Sequence, residues 1–369
     1  MLFKKSLEEF YREELFKSVG TCPNYQKYLP LDADRYIAMS LLQKAIRRGE
    51  FGFAFSSALT LLNHNDRAFW KRLCVIVFED IGIANIDLIG RITIAVGDKR
   101  LRQKLGGDRI VAAALIRDMC NSEKDRSTDD LLEFVEQAPV LEQVKDELAE
   151  MGLQGRLDRA INCTEQFGLQ SAAALAAAIG LPSDPQLSRD RIACSSAYFD
   201  TLVESGFDRT CVELSRLGLS RSGEALPIFM PLLKRLKDDE RGTSKDDNSP
   251  PQIFIDGIPS WTYNGHTRIG LAAFREYINR SDKMRAFLRD HSGRDLSKSR
   301  TVGALVFRLE SGQMTKRLSW PTGNRIRNSI ERLGRNIPDH AVEVGSQIIL
   351  DEFDLLNECR ADVAQHYLR

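Results

Sequence analysis

The stretch RYIAMSLLQKAIRRG, residues 35–49, decides the fold class. Ile37, Leu41, Leu42, Ala45 and Ile46 recur at the three- and four-residue spacing of one face of an amphipathic helix. Arg47 and Arg48 place cations at the negative end of the helix dipole, and Gly49 supplies the left-handed stop. Residues 51–62 carry the next apolar stretch. Asn65 then offers an N-cap for a helix running through Phe69, Leu73, Ile76 and Val77. The same period returns near 87–97, 107–120, 128–137, 140–151, 156–167, 169–179, 196–204, 207–217 and 224–237. Short connections carrying Gly, Pro, Asp or Ser join these windows, which predicts a mainly all-α helical array. The alanine-rich run Ser171 to Ile179 is a strong helix former whose small side chains suit close core packing.

Beyond this array the composition changes. Residues 238–252, DDERGTSKDDNSPPQ, are charged, contain two prolines and have no large apolar side chain. They read as a linker or long loop between a helical domain, 1–237, and a smaller basic part, 253–369. Ile253 to Ile258 forms a strand-like run ending in a turn. Helical windows resume at 267–289, 296–310, 322–334 and 350–367, so the C-terminal part is expected to be mostly helical with at most short strands.

The chain of 369 residues has 43% apolar and 28% charged residues, within the globular range, which excludes a disordered or collagen-like chain. Lys+Arg and Asp+Glu both number 52. The balance excludes a uniformly basic sleeve for nucleic acid and hides strong segregation. Residues 118–150 hold 11 acids and 3 bases, residues 280–335 hold 14 bases and 5 acids, and residues 339–362 hold 7 acids and 1 base. The seven cysteines are dispersed without a CxxC pair, which points to reduced thiols, no zinc knuckle and a cytoplasmic location. Acids near the N-terminus argue against a secretory signal, and no run of about 18 apolar residues is present to span a membrane. The phosphate-cradling G-x-x-x-x-G-K-[ST] loop, G-x-G-x-x-G, H-E-x-x-H and G-x-S-x-G are all missing. No metal site, cofactor or catalytic residue is therefore assigned.

Two segments carry a family resemblance. Ser40-Leu41-Leu42-Gln43-Lys44-Ala45-Ile46-Arg47-Arg48-Gly49-Glu50 is the first, and Phe78-Glu79-Asp80-Ile81-Gly82-Ile83-Ala84-Asn85 is the second. In this order, across an amphipathic stretch, residues 31–120 resemble the C-terminal region of the RarA/MgsA family, replication-associated recombination ATPases related to clamp loaders. Phe78 stands where that family usually has Ser, and Asn85 where it usually has Asp. The resemblance implies a clamp-loader-type helical collar that supports oligomerisation in a protein acting at stalled or damaged replication forks. Only 30 residues precede the resembling region, so the ATPase module is not expected here, and an ATPase supplied in trans is the natural partner.

The motif residues also have a physical reading. Glu79 and Asp80 lie at a helix C-terminus ended by Gly82, where each carboxylate costs about 0.3–1 kcal/mol against the dipole. A cation must compensate, and Lys44, Arg47 and Arg72 are the candidates. The reading is a salt-bridge latch between helices, with a surface for a partner or nucleotide as the alternative.

Two further constellations face function. In Trp261-Thr262-Tyr263-Asn264-Gly265-His266-Thr267-Arg268, a turn leads into a helix capped by Thr267. His266, Thr267 and Arg268 then form a candidate anion site, with Trp261 and Tyr263 beside it to stack a base. In the basic block, Lys316, Arg317, Trp320, Arg325, Arg327, Arg332 and Arg335 combine cations, an aromatic and a helix starting near Thr322, a candidate surface for DNA or RNA. Pairing with the acidic segments 118–150 or 339–362 is the alternative for that block. The function expected is a non-catalytic, oligomeric nucleic-acid-associated accessory in replication, recombination or repair. The rivals are a protein–protein scaffold or regulator from a mobile element or defence system, and an enzyme centred on His266 and Arg268.

Overall fold

A computed structural model of the chain describes residues 6–22, 25–163, 167–179, 191–291, 297–333 and 337–367. The fold is mainly α-helical, with a few short antiparallel strands. In chain order the helices are α1 (Leu7–Gly20), α2 (Arg35–Arg48), α3 (Phe51–His64), α4 (Asp66–Ile76), α5 (Ile86–Gly97), α6 (Lys99–Lys104), α7 (Asp108–Asn121), α8 (Ser127–Gln137), α9 (Glu142–Glu150) and α10 (Leu153–Asn162). There follow α11 (Phe167–Ile179), α12 (Arg191–Glu204), α13 (Arg209–Ser222), α14 (Leu226–Asp238), α15 (Arg268–Arg280), α16 (Asp282–His291), α17 (Lys298–Val306), α18 (Pro321–Leu333), α19 (Asp339–Asp351) and α20 (Phe353–Tyr367). The strands are β1 (Thr243–Lys245), β2 (Phe254–Ile255), β3 (Ile258–Pro259) and β4 (Arg317–Ser319).

The local signals work as chemistry requires. Gly49 closes α2 with φ 72°, and Asn65 accepts from the Ala68 N–H to open α4. Asp34 caps α2 through the N–H groups of Tyr36 and Ile37. Ser6 and Glu9 form a reciprocal capping box at the start of α1, a helix whose buried face of Tyr11, Leu15 and Val19 is too sparse to stand out as a periodic window. Ser171 to Ala178 is buried throughout, so the alanine-rich run serves close packing.

Three expectations are corrected. Residues 238–252 are not a bare linker: β1 pairs antiparallel with β4, with Ser244 opposite Leu318. Residues 253–258 are not one strand but two strands turning at Asp256-Gly257, where both residues have positive φ (50° and 77°), as a tight hairpin demands. The window 267–289 is two helices, broken at Ser281, whose hydroxyl accepts from the Met284 N–H to open α16.

The chain forms two compact units that do not follow its order. The first comprises Met1–Lys27, Asn65–Lys245 and Lys316–Ile330; the second comprises Tyr28–His64, Asp246–Thr315 and Glu331–Arg369. A single cut at 238–252 therefore meets one crossing, at Lys245–Asp246, and misses the others. In the first unit α4, α5, α7, α8, α13 and α14 bury Leu73, Ile76, Phe78, Leu88, Ile92, Leu115 and Phe229. In the second, α15, α16, α17, α19 and α20 enclose Phe274, Tyr277, Met284, Leu288, Val302, Leu305, Ile349 and Leu356. Each fully buried Leu, Ile or Phe contributes about 1.5–3 kcal/mol, which makes these cores the main stabilising term. The second unit also holds the α2–α3 pair, joined by the tight turn at Gly49. Ser40–Glu50 thus lies in the second unit and Phe78–Asn85 in the first.

Candidate functional site

In the first unit, α4 runs on into a turn of π-helix, Val77–Ile81, that carries Glu79 and Asp80. Such turns are rare and displace side chains from the regular helical rows. Gly82 follows with φ 49° and ψ −139°, and a Cβ there would stand 2.8 Å from the Asp125 carbonyl oxygen. The Asp125 N–H in turn donates to the Asp80 carbonyl at 3.1 Å. Arg126, which the sequence did not single out, brings a cation to both acids: Nη1 lies 2.6 Å from Asp80 Oδ1 and 3.2 Å from Glu79 Oε1, and Nη2 bonds Asp129. Arg72 stands 3.9 Å from Glu79. Burial pulls the Arg126 guanidinium down, but Asp129, Asp80 and Glu79 outweigh it and keep it firmly charged. No local signal marks Arg126, because 46 residues separate it from Asp80.

The second unit holds a counterpart. There α17 continues into a π-turn, Phe307–Ser311, carrying Glu310. Arg360 on α20 donates to Glu310 at 2.7 Å, with both residues out of solvent. Ser260 donates to the same carboxylate at 3.2 Å. Lys44, Arg47 and Arg48 of α2 lie here too. Arg48 donates to the Glu310 carbonyl at 2.8 Å and Arg47 to the Ser311 carbonyl at 3.2 Å. Lys44 is 4% exposed and bonds Ser40 and the Thr262 carbonyl. Burial, and then the neighbouring Arg47, push its amine well below the usual lysine range, with Glu310 opposing. Both π-turns start at a Val-Phe pair, Val77-Phe78 and Val306-Phe307, and each seats a buried acid against a buried arginine. This is core chemistry: one bond to each partner removed would strand a charge.

The basic block is largely consumed in the same way. Trp320 is 1% exposed, and its indole N–H donates to Asp125 Oδ2 at 2.8 Å. Arg317 is 6% exposed within β4. Neither presents itself to a nucleic acid, which corrects their assignment: the β4 pairing and the Asp125 carboxylate turn both inward. Lys316 is exposed and donates to the Asn121 carbonyl at 2.9 Å. Arg325 is exposed on α18, donates to Thr322 at 2.6 Å and lies 3.9 Å from Glu240. Glu240 itself caps α18 by accepting from the Thr322 N–H at 2.8 Å. Arg327 is half-buried. Together with Arg126 and Arg317 it opposes the upward push of burial on Asp130, whose carboxyl is nonetheless raised to about 6. Arg332 lies in α18 with its side chain outside the described residues, and Arg335 lies outside them altogether. Segment 118–150 therefore supplies partners to the block within this unit.

His266, Thr267 and Arg268 are placed as the turn chemistry predicts. Thr267 caps α15 by accepting from the Gly270 N–H at 3.0 Å, while His266 and Arg268 are exposed. Trp261 and Tyr263 do not stand beside them as stacking platforms. Both are buried, Trp261 donating to Gln252 at 3.1 Å with Arg48 over its ring at 5.0 Å.

From Arg268 to Arg300, each described acid already has a cation. Glu276 pairs with Arg280, Asp282 with Arg285 and Asp290 with Arg289. Arg268, Arg275, Lys283, Lys298 and Arg300 are exposed and have no ion pair among the described residues. Lys283, Lys298 and Arg300 fall inside the basic block 280–335, and Arg268 is already a candidate beside His266 and Thr267; Arg275 lies outside both. Among the described residues, no group of three His, Cys, Asp or Glu side chains forms a metal site, and no helix is long and apolar enough to cross a membrane.

No family model, curated protein or solved structure matches the chain.

Proposed function

We propose that the protein is a nucleic-acid-associated accessory factor that contacts the phosphate backbone through α15–α17 of its second unit, without chemistry of its own. The carrying observation is the surplus of exposed cations, Arg268, Arg275, Lys283, Lys298 and Arg300, left after every described acid of that segment is paired. Polyanions are bound by such surplus, because each neutralised phosphate releases condensed counterions. The RarA/MgsA resemblance of residues 31–120 supports a setting in replication, recombination or repair, and an oligomeric assembly with an ATPase partner belongs to the same reading.

The test is a titration of the purified chain against DNA and RNA at two salt concentrations, with molar mass read on the same samples. Affinity that falls steeply with salt is the expected result. No binding at low salt overturns the reading and leaves a partner-protein scaffold as the alternative.

A further inference from the structure

Building on that reading, we infer that the α15–α17 surface takes the backbone of a double-stranded nucleic acid rather than the bases of a single strand. Two observations carry this. The first is where the cations stand. Arg268 and Arg275 are seven residues apart on the exposed face of α15, two turns or about 10 Å along the axis. Where α17 crosses α15 the approach is close: a Cβ on Gly303 of α17 would lie 3.3 Å from the Phe274 ring of α15 and 3.6 Å from the Cα of Gly265, in the turn just before α15. Arg300 is three residues before Gly303, within about one turn of that crossing. The four groups Arg268, Arg275, Lys298 and Arg300 thus belong to two helices packed at one junction.

The second is where the aromatic rings stand. Phe274, Tyr277 and Phe287 of α15 and α16, and Trp261 and Tyr263 in the turns just before α15, are all buried. Phe274 packs on Gly303, Tyr277 donates to Glu352 at 2.9 Å, and the Trp261 ring carries Arg48. Their faces are occupied by the core. Proteins that grip single strands add base stacking on exposed rings to their charge contacts, at about 1–3 kcal/mol per base. A surface of cations alone gains only from phosphate density, and a duplex carries one charge per about 1.7 Å of axis, twice that of either strand. The surface therefore favours the duplex and is indifferent to sequence.

The experiment titrates the full chain with a mixed-sequence DNA duplex and with each of its single strands at matched length, over a salt series. Expected is tighter binding of the duplex by about fivefold or more, unchanged when the sequence is scrambled. The variant Arg268→Glu/Arg275→Glu should weaken duplex binding about tenfold or more and reduce the salt slope by about 2. Arg268→Glu places an acid in the first turn of α15, where the dipole favours it, so the variant should fold; circular dichroism verifies this. Single strands bound as tightly as the duplex overturn the duplex inference while leaving nucleic-acid association standing. Duplex binding unchanged in the folded variant overturns the assignment to this surface. Binding of none of the probes at low salt overturns the functional reading as well.

Discussion

The indole N–H of Trp320 donates to Oδ2 of Asp125 at 2.8 Å, closing 195 residues of chain with both side chains buried. Asp125 also accepts from the Ser127 N–H at 3.0 Å, and its backbone meets Gly82 and Asp80. Burial raises its carboxyl pKa, and the Ser127 and Trp320 bonds hold it back. Trp320→Phe should keep most of the packing and lose this bond, costing about 1–3 kcal/mol because a buried acceptor is left unmet. Trp320→Ala should cost about 3–5 kcal/mol. Urea midpoints give both values. A cost near zero for Trp320→Phe would show that the indole is not holding the carboxylate.

Gly82 permits the chain to leave the first π-turn. Its φ of 49° with ψ of −139° is strained for any residue with a Cβ, and the Asp125 carbonyl would lie 2.8 Å from that atom. Gly82→Ala should therefore destabilise the protein by about 1–3 kcal/mol, read as a lowered thermal midpoint. An unchanged midpoint would mean that the Asp125 backbone, between α7 and α8, can yield.

The Glu310–Arg360 pair makes a prediction of opposite character for single and double changes. Arg360→Met leaves Glu310 buried without its main cation and should cost about 3–5 kcal/mol. Adding Glu310→Leu removes the stranded charge, and the double variant should recover much of the loss. A double variant no more stable than Arg360→Met would show that the pair acts through packing alone.

Asp130 sets a pH dependence whose sign can be stated. Its carboxyl pKa is about 6 in the fold, raised chiefly by burial from the ordinary 3.8. The native state then holds this proton more tightly than the unfolded chain does. Between these values stability falls as pH rises, and above about 6 the full cost is present. Asp130→Asn should be more stable than the parent at about pH 8, with the gap closing toward about pH 4. Urea midpoints at the two pH values test this, and a gap that widened on acidification would reverse the assignment.

Helix positions were legible locally. Gly49, Asn65 and Thr267 act on groups within four residues of themselves, so the stops and caps of α2, α4 and α15 are written where they occur. The turn at Asn264-Gly265 and the core role of Ser171–Ala178 follow from the same short-range rules. The candidate site was less legible. Composition flagged residues 280–335 as a basic block with candidate contacts at Lys316–Arg335, yet the inward side chains of Arg317 and Trp320 depend on β4 pairing with β1, a strand inside what reads as a linker.

The sequence by itself determined a mainly helical chain, most helix boundaries, and the left-handed stop at Gly82. Periodicity and capping involve neighbours three or four residues apart, so no knowledge of packing is needed. Only the tertiary structure decided that Arg126 meets Asp80, that Arg360 meets Glu310, and that Arg268, Arg275, Lys298 and Arg300 keep their charge for solvent. A long flexible cation has the same local signature whether it is buried in a pair or exposed. What separates the two is whether packing brings a distant carboxylate within about 3 Å, and local sequence does not record that distance.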